Sequence, residues 1–325
     1  MRLKQLAPAV FIVMVFGLAA NVAANATERG GSNFNFFDIN SNCTRDQYGV
    51  IANYDTAKRT IDNELKQMYA NGQRHIRLVI FYGHGLNTGT TIDSTGGNFS
   101  PRYRANLVAL LAEIKAVGFE GVDFSFGAQA QNSPWQGRGE WPEWREDMYQ
   151  EHWSLIKNLR PIFVASELPY HIDLLGEAIP TATQPMYLRY TQRMWSQYTH
   201  TYGKSDTIGF SIIPAIEPDR IAQMPKIYGD NPPPLFDLHM YHDAYSLFTS
   251  AHERLVKLGY GNVPWIIGET YYNDAEDAKE FARAIRDTGQ KVLYIYQWPL
   301  TREQHCEAVD VPAPLQFNQY IERGF

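Results

Sequence analysis

Short apolar runs alternate with longer segments of helical periodicity along most of the chain. The runs are rich in β-branched and aromatic residues, as expected of buried strands, and the segments between them repeat apolar positions every three or four residues. The pattern predicts eight strands, at residues 33–39, 76–82, 121–126, 172–175, 207–213, 235–241, 265–268 and 292–296. This regular alternation indicates parallel strands joined by helices.

Helical segments fill the spaces between these strands. They are predicted at residues 56–70, 103–117, 148–159, 185–200, 246–258 and 275–288. Glycines near their ends are typical of the left-handed caps that return a chain to a sheet, at Gly72, Gly118, Gly259 and Gly289. The proline-rich segment 214–234 predicts only a short or irregular helix. Eight parallel strands in this order favour a single (β/α)8 TIM barrel of the α/β class over an open doubly wound sheet.

The first 26 residues have the pattern of an export signal. Arg2 and Lys4 precede an apolar stretch at residues 9–20, and the small residues Ala24 and Ala26 frame a cleavage site. The apolar stretch is shorter than the ~20 residues that a membrane-spanning helix needs, which argues against a permanent anchor. We therefore predict a signal peptide at residues 1–26, one domain at residues 27–325, and a secreted or periplasmic protein without stable membrane insertion.

Composition narrows the class of partner. Of the 325 residues, 44% are hydrophobic and 20% are charged, which is enough apolar side chain for a large core. The formal net charge of -6 argues against nucleic acid as a partner and favours a neutral one. Cys43 and Cys306 lack the spacing of redox or zinc motifs. In an exported protein they form either a disulfide that ties the two ends of the barrel together or two buried thiols.

Two glutamates end strands at positions where buried parallel strands rarely carry a charge. Glu177 follows the fourth predicted strand, Glu269 follows the seventh, and a glycine precedes each of them. In a barrel both side chains would reach the same carboxyl-terminal mouth. Paired carboxylates are typical of glycoside hydrolysis, and they lie ~5–5.5 Å apart in retaining enzymes and ~6.5–9.5 Å apart in inverting ones. The alternative for either glutamate is a helix cap or an ion pair at the rim.

The arrangement resembles the retaining glycoside hydrolases of clan A, the cellulase-like superfamily, over the whole of residues 27–325. In that clan the acid/base glutamate ends strand four and the nucleophile glutamate ends strand seven. The resemblance implies that Glu177 is the general acid/base and that Glu269 is the nucleophile.

Further residues match positions around the site of that clan. Arg77 resembles the arginine that hydrogen-bonds the nucleophile, and Trp298 resembles the tryptophan under the sugar subsite. His239 and Tyr241 resemble the pair that flanks the nucleophile, and their spacing of two places them on the same side of a strand. Gly176 is a departure, because the clan has at this position an asparagine that binds the 2-hydroxyl group of the substrate.

The two glutamates are expected to differ in protonation. A less polar setting would keep Glu177 protonated, whereas donors from Arg77 and Tyr241 would keep Glu269 ionised. Arg77 has an alternative partner in a core carboxylate such as Asp173. Other carboxylates compete for the catalytic roles, namely Asp123, Asp237, Asp243 and, first among them, Glu217.

Tryptophans cluster after the third predicted strand, at Trp135, Trp141, Trp144 and Trp153. Flat aromatic faces bind the C–H faces of sugar rings, so Trp135 and Trp141 are predicted to form a substrate platform, with Tyr271 on the opposite wall. The alternative is that two or three of these tryptophans pack the loop onto the barrel as a local core.

The predicted function is a retaining O-glycoside hydrolase that acts on a β-linked oligo- or polysaccharide by double displacement. Glu269 would form the covalent glycosyl intermediate, and Glu177 would activate the water that releases it. No cofactor is required, and we expect a monomer. Two alternatives stay open. One is a non-catalytic carbohydrate-binding protein on a degenerate barrel, and the other is a metal-dependent barrel hydrolase built on His239, His242 and Asp243, for which the usual His-x-His on the first strand is missing.

Overall fold

A ring of parallel strands lies at the centre of the fold. The computed structural model describes residues 28–38, 44–135, 140–215, 219–306 and 309–325. Its strands are β1 Gly31–Asn33, β2 His75–Gly83, β3 Ile92–Asp93, β4 Gly121–Ala128, β5 Tyr170–Asp173, β6 Thr207–Gly209, β7 Phe236–His239, β8 Trp265–Glu269 and β9 Val292–Gln297. Each predicted strand overlaps an observed one. β1 lies earlier than predicted, and β3 is a two-residue strand that the apolar pattern does not reveal.

Helices of the predicted period surround this ring. They are α1 Val50–Ala70, α2 Pro101–Val117, α3 Glu146–Ala165, α4 Pro185–Tyr202, α5 Met224–Tyr228, α6 Ala244–Lys257, α7 Ala275–Thr288 and α8 Asn318–Ile321. α7 has its predicted bounds because Asp274 caps its amino end and Gly289 adopts a left-handed conformation at its carboxyl end. In its described part, the proline-rich segment contains the 3-10 turn Ile221–Gln223 and the five-residue α5, as the prediction of a short or irregular helix requires. Within the described ranges, no helix combines the length and the apolar character needed to cross a membrane.

Eight of the strands form a barrel in the order β6–β5–β4–β2–β1–β9–β8–β7, and all of their pairings are parallel. β6 and β7 share no ladder. The ring closes between them through Ile212, whose amide donates to the Asp237 carbonyl at 2.9 Å and whose carbonyl accepts from the His239 amide at 2.8 Å. We call this narrow closure the β6–β7 seam. The architecture is the predicted single (β/α)8 barrel.

Alternate residues of each strand face different environments. On β2, Ile76, Leu78 and Ile80 are fully buried in the main hydrophobic core beneath the helices. The residues between them, including Arg77, point into the barrel, because successive side chains of a strand lie on opposite faces. The alternation of faces along β2 therefore directs Arg77 inward.

The interior of the barrel is polar at both ends. Asp123, the third residue of β4, is buried near the amino-terminal end. It accepts hydrogen bonds from Tyr294 at 3.1 Å and Tyr296 at 2.9 Å, and its other oxygen lies 2.9 Å from Nδ1 of His171. In the sequence, Asp123 was one of the carboxylates that compete for a catalytic role. Its position corrects that interpretation, because the reactive groups of a barrel lie at the opposite end.

Candidate active site

Glu269 ends β8 at the carboxyl-terminal mouth of the barrel. Nη1 of Arg77 donates to its Oε1 at 2.9 Å, and the hydroxyl of Tyr241 donates to its Oε2 at 3.0 Å. Both oxygens are therefore held by donors from two other strand segments. The side chain is only 14% exposed, so its position is well defined by these contacts.

Arg77 is the centre of a buried charge cluster. Its Nη2 lies 3.3 Å from Asp173 Oδ2 and 3.5 Å from Asp237 Oδ2, and its Nη1 also donates to Asn33 Oδ1 at 2.8 Å. The two partners considered for Arg77 in the sequence, the nucleophile and Asp173, are thus both bound. Asp237, another competing carboxylate, is fully buried beside Arg77 and does not reach the mouth.

Gly268 explains why a glycine precedes Glu269. A Cβ at this position would lie 2.0 Å from Oδ1 of Asp237, so no other residue fits without displacing the carboxylate. Gly176, which precedes Glu177, is less restricted, since a Cβ there would lie 3.1 Å from Oγ of Ser125. The glycine pattern that marked both glutamates therefore has a steric cause mainly at Gly268.

Glu177 lies just beyond β5 in an unusual backbone conformation. Its φ is +56°, a left-handed value that costs energy for a residue with a side chain, and such strain is concentrated at functional sites. The amide of Glu177 donates to Oγ of Ser211 at 2.7 Å, which fixes the turn. The Glu177 side chain is 44% exposed, far more than that of Glu269.

His239 joins the two glutamates. Its Nδ1 lies 3.0 Å from Glu177 Oε1 and 3.5 Å from Glu269 Oε2. One oxygen of each glutamate and this nitrogen all lie within 4.8 Å of one another. The structure therefore brings Glu177, Glu269, Arg77, His239 and Tyr241 into a single constellation, as their order along the chain had predicted.

The charges of this cluster set the protonation of its members. Burial alone would lower the pKa of His239, but the charges of Glu269 and Asp237, with the hydrogen bond to Glu177, raise it to about 10. Burial raises the pKa of Glu269 above its ordinary value, against the opposing charges of His239 and Arg77. Desolvation also acts to raise the pKa of Glu177, but the hydrogen bond and charge of His239 outweigh it and hold this pKa below its ordinary value.

This order of pKa values is the reverse of the one expected from sequence. The positive charge of Arg77 is shared among Asp173, Asp237 and Glu269, so it stabilises the ionised form of Glu269 less than an exclusive partner would. Glu177, in contrast, receives a hydrogen bond from a protonated His239 in the ligand-free chain. The sequence gives no sign of these shared partners.

The constellation lies in a cleft of about 320 Å³. Its walls include the aromatic residues Phe81, Trp135 and Trp298 and the polar residues Gln129, Ser133 and Arg220. Phe36 supports the aromatic wall from behind, stacked on Phe81 with ring centroids 5.8 Å apart and in edge contact with Trp298 at 6.2 Å. A cleft of this size is within the range of small-molecule sites.

The predicted tryptophan platform is only partly formed. Trp135 is 37% exposed and lines the cleft. Trp141 is 4% exposed, packs against Trp144 and Tyr190, and donates from its indole nitrogen to the Gln131 carbonyl at 3.2 Å. The prediction that Trp141 presents a binding face is corrected, because its ring is part of the core that packs this loop onto the barrel.

Tyr271 also differs from its predicted role as a wall of the site. It is fully buried, its ring contacts that of Tyr241 at 5.1 Å, and its hydroxyl lies 2.5 Å from Nε2 of His242. Tyr271 therefore supports Tyr241 from behind. Because His242 is held by this contact, it does not converge with His239 and Asp243, and the metal group considered in the sequence is not formed.

Several functional neighbours were missed at the sequence level. Asn33 also donates to the Gly268 carbonyl at 2.7 Å, and Ser211 holds the Glu177 turn. Arg220 lies on the proline-rich segment, where no strand pattern indicates which way a side chain points. Asn33 ends β1 in the structure but begins the first predicted strand, so the error in the bounds of that strand hid its position at the mouth.

Three predictions fall partly or wholly outside the described residues. Glu217, the first substitute for a catalytic role, lies in the gap at residues 216–218, and Cys43 lies in the gap at residues 39–43. The signal peptide at residues 1–26 also lies outside. The alternative role of Glu217, the bridge from Cys43 to Cys306 and the cleavage site stay predictions.

Comparison with solved structures finds barrels of the same kind. A GH5-4 broad-specificity endoglucanase from Clostridium longisporum matches with a TM-score of 0.58 and 10% identity, over 91% of this chain and 95% of that chain. Cel5A (EG2) from Hypocrea jecorina matches with 0.55 and 14%, over 84% and 89%. The β-mannanase of Thermomonospora fusca in its mannotriose complex matches with 0.52 and 14%, over 83% and 77%.

These likenesses confirm the fold that the resemblance implied, a barrel like those of GH5 glycoside hydrolases over about nine tenths of the chain. No protein-family description and no curated protein sequence matches the chain. The fold alone does not determine the chemistry, which depends on the residues of the cleft.

Proposed function

We propose that this protein is a retaining O-glycoside hydrolase that cleaves a β-linked oligo- or polysaccharide by double displacement. The observation that carries the proposal is the approach of Glu177 and Glu269, each of which has a carboxylate oxygen within 4.8 Å of the other. So close an approach favours the narrow carboxylate pair of a retaining enzyme, ~5–5.5 Å apart, over the ~6.5–9.5 Å pair of an inverting enzyme, which must admit a water between its carboxylates.

The surroundings of the two glutamates favour one division of roles. Glu269 is deep in the cleft and held at both oxygens by Arg77 and Tyr241, as suits a nucleophile that must meet the anomeric carbon in a fixed direction. Glu177 is more exposed and can reach solvent water, as suits a group that must exchange protons. We therefore assign Glu269 as the nucleophile and Glu177 as the acid/base.

The reaction then follows in two balanced steps. In the first, an oxygen of Glu269 attacks the anomeric carbon while the glycosidic bond breaks and the Glu177 carboxylic acid gives its proton to the leaving oxygen. In the second, the Glu177 carboxylate takes a proton from water, the water oxygen attacks the anomeric carbon, and Glu269 leaves as a carboxylate. Both glutamates end in the states in which they began.

Substrate binding would prepare Glu177 for the first step. In the free chain its carboxylate accepts from His239, which holds its pKa low. A sugar that covers this half-exposed side chain excludes water and favours the neutral acid, since desolvation disfavours a charged carboxylate. The protonated imidazole of His239 lies at hydrogen-bond distance and keeps a proton beside the site.

A carbohydrate suits the remaining walls of the cleft. Trp298, Phe81 and Trp135 offer aromatic surface for the C–H faces of sugar rings, and Gln129 and Ser133 offer hydrogen-bonding groups. One of the neighbours named above is an endoglucanase, and another is a β-mannanase in complex with mannotriose. We extend this class of substrate to the present chain, without a choice of sugar or linkage.

The decisive test is covalent trapping. The purified chain would be incubated with a panel of 2-deoxy-2-fluoro glycosyl fluorides, and its intact mass and labelled peptides would be measured. We expect one added sugar on Glu269, and no label on a Glu269→Gln variant. A label on Glu217 would overturn the assignment of the nucleophile.

The two other functions make different predictions in the same assay. A carbohydrate-binding protein would bind oligosaccharides without acquiring a label, and its affinity would not fall with Glu269→Gln. A metal-dependent hydrolase would lose activity in a chelator. Glu177, His239 and Glu269 could offer three ligand atoms to a cation, so the chelator distinguishes this function from the proposed one.

We also propose that the protein is exported and acts outside the cytoplasm, with a mature chain that begins at Thr27. The sequence features of residues 1–26 support this proposal. Amino-terminal sequencing of the exported protein should read from Thr27, and a start at Met1 would contradict it.

In the same sample, mass spectrometry without reducing agent should recover one peptide pair that joins Cys43 to Cys306.

A further inference from the structure

Among the described residues, Arg220 is a cation of the cleft that forms no ion pair with a carboxylate. Its Nη1 donates to the Ile179 carbonyl at 2.5 Å, which anchors the side chain. Its sequence neighbour Asp219 pairs with Arg254 instead, at 2.7 Å. Over the ranges that the structure describes, Arg220 forms no ion pair, so its positive charge is left for another group in the cleft.

The contrast with Arg77 shows how differently the two arginines of the cleft are used. Arg77 is fully buried and surrounded by Asp173, Asp237 and Glu269, so carboxylates of the protein itself neutralise its charge. Arg220 is half-buried, and it lines the same cleft as Glu177. A partly buried arginine without an anion is unfavourable in the free protein and becomes favourable when a ligand supplies the anion.

The net charge of the chain strengthens the case that Arg220 has a specific ligand. The chain carries a formal charge of -6, so a spare positive group in its cleft is not part of a generally basic surface. The planar guanidinium has donors spaced to bind two oxygens of a carboxylate or a sulfate. The overall charge argued for a neutral partner, but recognition depends on the groups that line the cleft.

We infer that the preferred substrate carries an anionic substituent, a uronate carboxylate or a sulfate ester, and that Arg220 binds this group. This inference rests on the proposed function and names its class of substrate. The remaining donors of Arg220 would contact the anion, while the bond to Ile179 keeps the guanidinium in place.

The topology indicates which part of the substrate carries the charge. Arg220 is tied to Ile179, in the segment after β5, whereas Trp298 follows β9. β5 and β9 are four places apart in a ring of eight strands, so these two groups lie on opposite walls of the mouth. If Trp298 supports the sugar that reacts with Glu269, the anionic substituent belongs to the sugar on the leaving-group side of Glu177.

A bound anion would also assist the chemistry. Desolvation raises the pKa of Glu177, while His239, Arg77 and then Arg220 lower it. An anion on Arg220 cancels part of this last effect, so the pKa of Glu177 rises when the correct substrate binds. Glu177 then holds its proton at the moment when it is needed as an acid.

The test uses matched ligands on a protein that cannot turn them over. In a Glu269→Gln background, calorimetry would measure the binding of an oligosaccharide that contains uronate, of the same oligosaccharide after carboxyl reduction, and of a sulfated neutral counterpart. We expect the Kd of the better anionic ligand to be lower than that of the reduced one by about tenfold to a hundredfold, as for a hydrogen bond to a charged group.

Variants of Arg220 and of a control arginine show whether Arg220 causes the preference for the anionic ligand. Arg220→Gln should remove the preference for the anion, Arg220→Lys should keep part of it, and Arg189→Gln should keep all of it, because Arg189 is exposed and stacked on Trp144 away from the cleft. Equal binding of anionic and reduced ligands would overturn the inference, as would a preference that survives Arg220→Gln. In both cases covalent trapping of Glu269 would still stand as a separate test of the glycosidase.

Discussion

Arg77 Nη1 lies 2.9 Å from Oε1 of Glu269 across the mouth of the barrel, although 192 residues separate the two along the chain. The same guanidinium faces Asp173 and Asp237. One arginine therefore both directs the proposed nucleophile and neutralises the core beneath it, so its contributions to stability and to activity are linked.

Removing this cation should destabilise the fold. Arg77→Met would leave three carboxylates without their common partner, and we expect the free energy of unfolding to fall by about 3–5 kcal/mol. Arg77→Lys should lose less, because an ammonium retains the charge but reaches fewer oxygens. Urea denaturation of the three proteins would measure the differences. Equal midpoints for wild type and Arg77→Met would refute the central role of this side chain.

Tyr241 should act on activity more than on stability. Tyr241→Phe removes the donor to Oε2 of Glu269 and keeps the ring contact with Tyr271. A hydrogen bond to a charged group is worth about 1.5–3 kcal/mol, so kcat/KM should fall by roughly tenfold to a hundredfold. Steady-state kinetics on a substrate with an activated leaving group would measure this change, and thermal melting would serve as the control. An unchanged kcat/KM would show that this hydroxyl does not support the reaction.

His239 should make stability depend on pH. Its folded-state pKa of about 10 exceeds the ordinary value of 6.5, so its charged form contributes stability that is fully present below about pH 6.5 and is lost as pH rises through about 10. The difference in unfolding free energy between wild type and His239→Gln should shrink over this interval. Chemical denaturation at pH 6, 8 and 10 would follow it. A difference that is constant with pH would mean that His239 is neutral in the fold.

Glu64, a buried acid, should also make stability fall as pH rises, but over a lower range of pH. Burial raises its pKa from 4.5 to about 8, and its Oε1 accepts from the Asp38 amide at 3.1 Å. The folded chain therefore holds a proton that the unfolded chain releases, and stability falls as pH rises from about 4.5 to 8. Glu64→Gln should flatten this decline. Thermal midpoints of both proteins from pH 5 to 8.5 would show it, and parallel curves would place the cause elsewhere.

Trp135 and Trp141 should respond in opposite ways to truncation. Trp135→Ala should raise KM with little effect on stability, because this ring is exposed in the cleft. Trp141→Ala removes a buried aromatic ring, and the free energy of unfolding should fall by about 3–5 kcal/mol. Each variant is the control for the other in paired kinetics and denaturation. A raised KM for Trp141→Ala, with unchanged stability, would restore this residue to the substrate platform.

The sequence was informative wherever one periodicity fixed both the element and the direction of its side chains. The apolar run at residues 76–82 predicted the second strand, the resemblance placed Arg77 at Glu269, and the spacing of two placed His239 and Tyr241 on the same side of their strand. Helix ends with strong caps, such as Gly289, were also predictable. These features are local, so they can be read without knowledge of the partners.

Features that depend on distant partners could not be predicted. Whether Trp141 faces a ligand or Tyr190 depends on how a long loop folds back onto α4, and both outcomes have the same local sequence. The left-handed backbone of Glu177 depends on its bond to Ser211, 34 residues away. The division of the Arg77 charge among three carboxylates, which reversed the expected order of pKa values, likewise exists only in the folded barrel.

The β6–β7 seam is where the barrel should open most easily. Within the described ranges, Ile212 alone bridges the two strands there by backbone hydrogen bonds, and the residue before it, Ser211, anchors the Glu177 amide. Transient opening at the seam would release Glu177, the proposed acid/base, while the other strands stay paired. Heat should therefore disturb the geometry of catalysis before it melts the fold, and a ligand that spans both strands would slow amide hydrogen exchange there first.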